Sequence, residues 1–281
     1  MRFMKKLVTA LAAASASIAL ATAPHAAAAP AGNIVTIADS YGANPEQASY
    51  YLGGAFPALN QPGTPFTGGC QQAHNNWPGS LSRQTGAPVS NWSCAALTSN
   101  GIMGRVEGAI RSGDLHPGTR SVVISVGMND FGPPGARNGY DVGNHQAIRD
   151  AHMRDIRNVS QRIRAVNPGI NIVIAGFPQV ANAAGGVCVL NVINNLPMGL
   201  PLPVVRDVES FHRQNQLDAA NANGLRFVDV REQTRGHDTC AADNQRYVSG
   251  IVDTTAPHWN MFLHPTDLGN ERIAQAIRPV V

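Results

Sequence analysis

The chain has 281 residues, 43% of them hydrophobic, with 21 basic and 18 acidic side chains. That length suits one sizeable α/β domain. Such a near-neutral balance offers nothing to draw nucleic acid or a strongly anionic surface, so neither is expected as a partner.

The N-terminus reads as a segment that is removed. Arg2, Lys5 and Lys6 precede an apolar run from Leu7 to about Ala21, and the small-residue stretch His25-Ala26-Ala27-Ala28-Ala29 follows. Basic, apolar and then small is the order of a secretory signal peptide, here residues 1–29. The run is short and rich in Ala and Ser for a membrane span, so no transmembrane anchor is expected. Taking away those three basic residues leaves 18 basic against 18 acidic, formally neutral. No repeat, charge block or long linker divides the remainder, so residues 30–281 read as a single domain.

Short β-branched runs then recur in chain order. They are Ile34-Val35-Thr36-Ile37, Val122-Val123-Ile124-Ser125-Val126, Ile172-Val173-Ile174-Ala175 and Leu225-Arg226-Phe227-Val228. A further strand is possible near Val89. Runs apolar on both faces are what a buried parallel sheet requires. Helical patterns lie between them. Ile156, Val159, Ile163 and Val166 follow 3-4-3 spacing and stop at Asn167-Pro168-Gly169. Val204, Val208 and Phe211 open a second helix that closes at Asn223-Gly224, and a last one runs from an Asp267 cap to about Ile277. Strands alternating with helices predict a parallel sheet with helices on both faces.

Four cysteines remain: Cys70, Cys94, Cys188 and Cys240. An even count in a secreted chain predicts two disulfides among three possible pairings. The sequence-local choice is Cys70–Cys94 with Cys188–Cys240. No C-x-x-C or H-x-x-x-H spacing supports zinc, so no metal is expected.

In open parallel sheets, sites form beyond the carboxyl ends of the strands. After the first strand comes Ala38-Asp39-Ser40-Tyr41-Gly42, where Ser40 is exposed on a turn and placed to attack an acyl carbon. After the Val122 strand comes Gly127-Met128-Asn129-Asp130, where Asn129 can aim an amide N–H at a developing oxyanion. Leu263-His264-Pro265-Thr266 stands before the last helix, with His264 placed to take and return the serine proton. His116-Pro117 has the same dipeptide but precedes its strand, at the wrong sheet end. Read singly, these are a capping Ser, a turn Asn and a surface His.

Together, and in this chain order, the three segments resemble the SGNH hydrolases, also called the GDSL esterase/lipase family. Gln71-Gln72-Ala73, Asn76-Trp77-Pro78 and Ser93-Cys94-Ala95-Ala96-Leu97-Thr98 are similar to the secreted actinobacterial branch. The resemblance spans about residues 34–277. It implies a three-layer α/β/α, flavodoxin-like fold with Ser40 as nucleophile and His264 as general base. It also implies an oxyanion hole made by the Ser40 N–H, the Ala96 N–H and the Asn129 side chain. Cys70 and Cys94 bracket the matching stretch, in keeping with their pairing.

Three positions depart from the family pattern. Ala38 replaces the usual Gly, which is mild unless φ is positive there. Ala96 replaces the oxyanion Gly, where a backbone N–H survives but the methyl narrows the pocket. Met261 replaces the Asp that orients the histidine. Asn260 cannot carry the charge, so either the Met261 carbonyl or Asp253 takes that role, with the carbonyl preferred.

The expected activity is hydrolysis of carboxylic esters, without a cofactor, by a secreted monomer. Lipid, small acyl ester and acylated glycan all fit as substrate. Transfer of acyl groups onto envelope sugars or lipids is a second reading, and a non-catalytic binding protein on the same scaffold a third. Trp77, Trp92, Trp259, Met261 and Phe262 are candidates for an apolar acyl pocket, although each taken singly reads first as a core or rim residue. The apolar segment 193–198 reads as a flap or as an ordinary surface loop.

Overall fold

The computed structural model describes residues 28–60 and 62–281. All but the last two residues of the expected signal segment lie outside the described residues.

Five strands form the central sheet: β1 (Ile34–Ala38), β2 (Val89–Asn91), β3 (Ser121–Ser125), β4 (Asn171–Ala175) and, late in the chain, β7 (Arg226–Val228). All pairings are parallel, in the order β2-β1-β3-β4-β7. Among the sheet's own strands this is the flavodoxin-like order 2-1-3-4-5. The direction of winding reverses between β1 and β3, which opens a crevice beyond their carboxyl ends.

Side chains alternate across the sheet, so each strand feeds two cores. On one face Val35, Ile37, Val122, Ile124, Ile172 and Ile174 meet helices α4 (Ile102–Arg111), α5 (His145–Val166) and α6 (Pro203–Ala222). On the other, Ile34, Ala38, Val123 and Val173 meet α3 (Trp77–Thr85) and α7 (Asp267–Ile277), through Trp77, Leu81, Ile273 and Ile277. Most of these side chains are fully buried, each worth about 1.5–3 kcal/mol. Two short helices, α1 (Ser40–Ala43) and α2 (Gln47–Leu52), follow β1 directly.

Helix ends follow local chemistry. α5 stops at Val166, and the Asn167 side chain donates to the Pro117 and Thr119 carbonyls. The last helix is capped by Thr266, whose Oγ1 accepts from Gly269 N, and not by Asp267, which is its first residue. A threonine hydroxyl accepts at an N-cap as a carboxylate does, and here it also donates to Arg246 O.

Cys70 is bonded to Cys94 and Cys188 to Cys240, the sequence-local pairing. The segment after Phe177 forms an antiparallel hairpin, β5 (Gly186–Asn191) and β6 (Met198–Pro201), where the sequence predicts only a flap or surface loop at 193–198. Residues 193–198 span its turn, with Ile193 and Leu196 exposed. Among the described residues, no helix is long and apolar enough to cross a membrane.

Candidate active site

Ser40 opens α1 at the carboxyl end of β1. Asp39 caps that short helix: its Oδ1 accepts from Tyr41 N at 2.9 Å. The Asp39 carboxyl is buried, and burial raises its pKa well above the usual range.

The Ser40 hydroxyl lies 2.7 Å from His264 Nε2, although 224 residues separate them in sequence. His264 Nδ1 lies 2.8 Å from the Phe262 carbonyl oxygen. A carbonyl only accepts, so Nδ1 carries the ring proton and Nε2 presents a lone pair to the serine. Burial lowers the His264 pKa to about 4, and the Phe262 bond offsets this in part.

The loop carrying His264 is held from several sides. Tyr41 packs its ring on the imidazole, with centroids 4.6 Å apart, and its hydroxyl donates to Leu263 O at 2.7 Å. Ser249 N donates to His264 O, and Asn44 Nδ2 donates to Pro265 O. Leu263 itself has φ of +56°, a left-handed conformation that costs a branched side chain energy.

That turn corrects both expected orienting groups. The Met261 carbonyl faces away and accepts from Ser249 Oγ at 3.0 Å. The left-handed step at Leu263 instead folds the Phe262 carbonyl back onto the ring. Asp253 is buried and bonded to Arg246 Nη1 at 2.9 and 3.1 Å, with further bonds from Gly250 N and Asn191 Nδ2. Its lone pairs are committed to a buried ion pair, not to the histidine.

Ala96 and Asn129 extend from the strands on either side of β1. Cys94 N donates to Ala38 O, and Leu97 N donates to Cys94 O, so the Ala96 turn is pinned beside Ser40. Asn129 Nδ2 donates to Leu97 O at 3.1 Å and approaches Asp39 Oδ2 at 3.4 Å. Ser40, Ala96 and Asn129 therefore stand at three adjacent strand ends.

Residues 39–272 match the GDSL-like lipase/acylhydrolase family. The chain belongs to that family. A curated relative, Lipase 2 of Streptomyces coelicolor, is 25% identical over 97% of this chain and 95% of its own length. Phospholipase A1 from Streptomyces albidoflavus NA297 shares the fold with a TM-score of 0.59 at 15% identity, covering 90% of this chain and 100% of that one. An extracellular lipase from Streptomyces rimosus gives 0.58 at 14%, with 89% and 100% covered.

Two departures from the GDSL pattern now have a geometry. Ala38 is extended within β1, where its methyl is harmless. Ala96 has φ of +61°, so the residue that replaces the usual glycine sits where glycine is favoured.

The expected aromatic lining of an acyl pocket is mostly elsewhere. Trp77 belongs to the core under α3 and α7. Trp92 packs in the other core and donates from Nε1 to Asp114 at 2.8 Å. Trp259 donates to Asp253 O, and Met261 is buried. Phe262 is half-buried and stacks on Tyr51. The apolar cavity that does adjoin the site holds about 300 Å³ and is lined chiefly by Tyr41, Met128, Phe131, Val205, Val208 and Leu263. Tyr41, Met128 and Leu263 are the chain neighbours of Ser40, Asn129 and His264. Sequence reading missed this cavity because its far wall comes from the start of α6, which carried no motif.

Proposed function

We propose that the protein is a secreted serine esterase or lipase that hydrolyses carboxylic esters through an acyl-Ser40 intermediate. The observation that carries this reading is the 2.7 Å contact between Ser40 Oγ and a His264 ring whose tautomer is set by the Phe262 carbonyl.

Ser40 Oγ attacks the ester carbon while its proton passes to His264 Nε2. The tetrahedral oxyanion is received by the Ser40 and Ala96 backbone N–H groups and the Asn129 amide, donors worth about 3 kcal/mol each. His264 returns the proton to the departing alcohol oxygen. Water then attacks the acyl-serine, giving a proton to Nε2, and collapse releases the acid as Ser40 Oγ recovers that proton. The acyl chain lies in the 300 Å³ cavity. Its lining is mostly apolar, which suits an aliphatic chain.

Secretion is supported by the leader-like first 29 residues, by the two disulfides and by the extracellular relative from Streptomyces rimosus. The working unit is a single domain, residues 30–281.

The test is turnover of p-nitrophenyl esters of graded chain length by the chain from residue 30. kcat/KM is expected to rise from the acetyl ester to longer acyl chains as the apolar cavity is filled. Ser40→Ala and His264→Ala should each lower kcat by at least about a thousandfold. A fluorophosphonate should label Ser40. Turnover that survives Ser40→Ala overturns the assignment.

A further inference from the structure

Beneath the crevice lies a buried polar chain that the mechanism above does not use. Ser99 N donates to Asp130 Oδ1 at 2.9 Å, and Ser99 Oγ donates to Asp130 Oδ2 at 2.5 Å. The same hydroxyl oxygen is 2.8 Å from His152 Nδ1. All three residues are at most 1% exposed.

Their places in the chain matter. Ser99 lies three residues beyond Ala96, and Asp130 directly follows Asn129. The two turns that would supply the oxyanion donors are thus joined underneath by the two Ser99–Asp130 bonds and above by Asn129 Nδ2 to Leu97 O.

Proton bookkeeping gives the chain a direction. His152 Nε2 is buried and has no partner among the described residues. A buried lone pair without a donor is tolerated better than a buried N–H without an acceptor. The proton therefore sits on Nδ1, which donates to Ser99 Oγ, and the Ser99 hydroxyl is left to donate to the Asp130 carboxylate. Each bond strengthens the next.

A second imidazole completes the floor. His212 Nε2 donates to Val126 O at 3.1 Å, at the end of β3. Gly127, with φ of +118°, lies so close above that an added Cβ would stand 2.9 Å from His212 Nε2 and 3.1 Å from the His152 ring. Both rings press on the first residue of the Asn129 turn.

We infer that Ser99, Asp130 and His152 form a positioning brace that fixes the Ala96 turn against the Asn129 turn and so sets the spacing of the oxyanion donors. This rests on the hydrolase reading for its kinetic consequence, but the geometry of the Asn129 amide can be followed without turnover.

The experiment uses the whole chain from residue 30. Ser99→Ala removes the hydroxyl without adding bulk. It should lower kcat by about tenfold to a hundredfold, as a displacement of roughly 1 Å does, and leave KM within about twofold. Asp130→Asn keeps the shape and the backbone bond, and should lose less. Ser99→Ala combined with Asn129→Ala should be no slower than Asn129→Ala alone, because both disable one hole. In ¹⁵N-labelled protein, Ser99→Ala should also move the paired Asn129 side-chain N–H resonances toward their solvent-averaged position.

Wild-type kcat in a folded Ser99→Ala variant overturns the brace, as do losses that simply multiply in the double variant. Unshifted Asn129 amide signals overturn it too, whatever the turnover. A wild-type chain that hydrolyses no ester, with the Asn129 signals still shifted by Ser99→Ala, refutes the hydrolase reading and leaves the brace standing.

Discussion

At the scale of single residues, the partner of His264 Nδ1 is uncharged. A triad carboxylate fixes the tautomer and also stabilises the imidazolium; the Phe262 carbonyl does the first and only weakly the second. Burial then lowers the ring's pKa to about 4, against about 6.5 for a free histidine. A general base acts in its neutral form, so a lowered pKa extends activity toward acid. kcat/KM against pH should therefore hold steady from about pH 8 to below pH 6 and fall only as the ring protonates. An acid limb centred at 6.5 or above, measured on a short ester, would contradict this. Ser40, Asn129 and His264 stand out in the sequence only as a set, two of them just after strands and the third before the last helix, in the chain order of the family's motifs. The orienting group does not stand out. Every residue has a carbonyl, and only the left-handed φ at Leu263 decides that Phe262 rather than Met261 faces the ring.

At the scale of elements, the strands at Ile34, Val122 and Ile172 were readable because such runs are apolar on both faces, as a two-sided core demands, whereas the edge strand Val89–Asn91, with Ser90 and Asn91 in it, was only a possibility. The hairpin was not readable. Gly199 and Pro201 break any strand pattern in Met198–Pro201, and its pairing with Gly186–Asn191 shifts register between Cys188 and Leu190. The connecting turns hide their demands in the same way: the alanine itself gives no sign of a positive φ at position 96, and only the family's glycine there points to it. Placing Ala there costs about 1–2 kcal/mol. Glycine would remove that strain but add about 0.4–1 kcal/mol of chain entropy to the unfolded state. Ala96→Gly should accordingly raise stability by up to about 1 kcal/mol, or ~2–4 °C in Tm for a chain of this size. Its backbone N–H is unchanged, so kcat should stay within about threefold. Calorimetry together with ester kinetics checks both halves, and a fall in Tm would show that the methyl packs usefully.

At the scale of the whole molecule, the switch between β1 and β3 gathers residues 40, 96 and 129 beyond the carboxyl ends of the strands, and the C-terminal loop brings His264 to them. The two disulfides act on different parts of that assembly. Cys70–Cys94 spans 24 residues and ends two positions before Ala96, where Cys94 N is bonded to Ala38 O. Cys188–Cys240 spans 52 residues and ties the hairpin to the segment leading into the Arg246–Asp253 ion pair. In the chain-entropy account the longer loop is worth about 4 kcal/mol and the shorter about 3. Cys188→Ser with Cys240→Ser should therefore lower Tm by roughly 8–16 °C, and Cys70→Ser with Cys94→Ser by somewhat less. The order should reverse for catalysis. Losing Cys70–Cys94 frees the turn that presents the Ala96 N–H, so kcat well below Tm should drop more in that double variant. Thermal melts and kcat on both double variants decide this, and a larger kcat loss on opening Cys188–Cys240 would place the catalytic constraint in the hairpin instead.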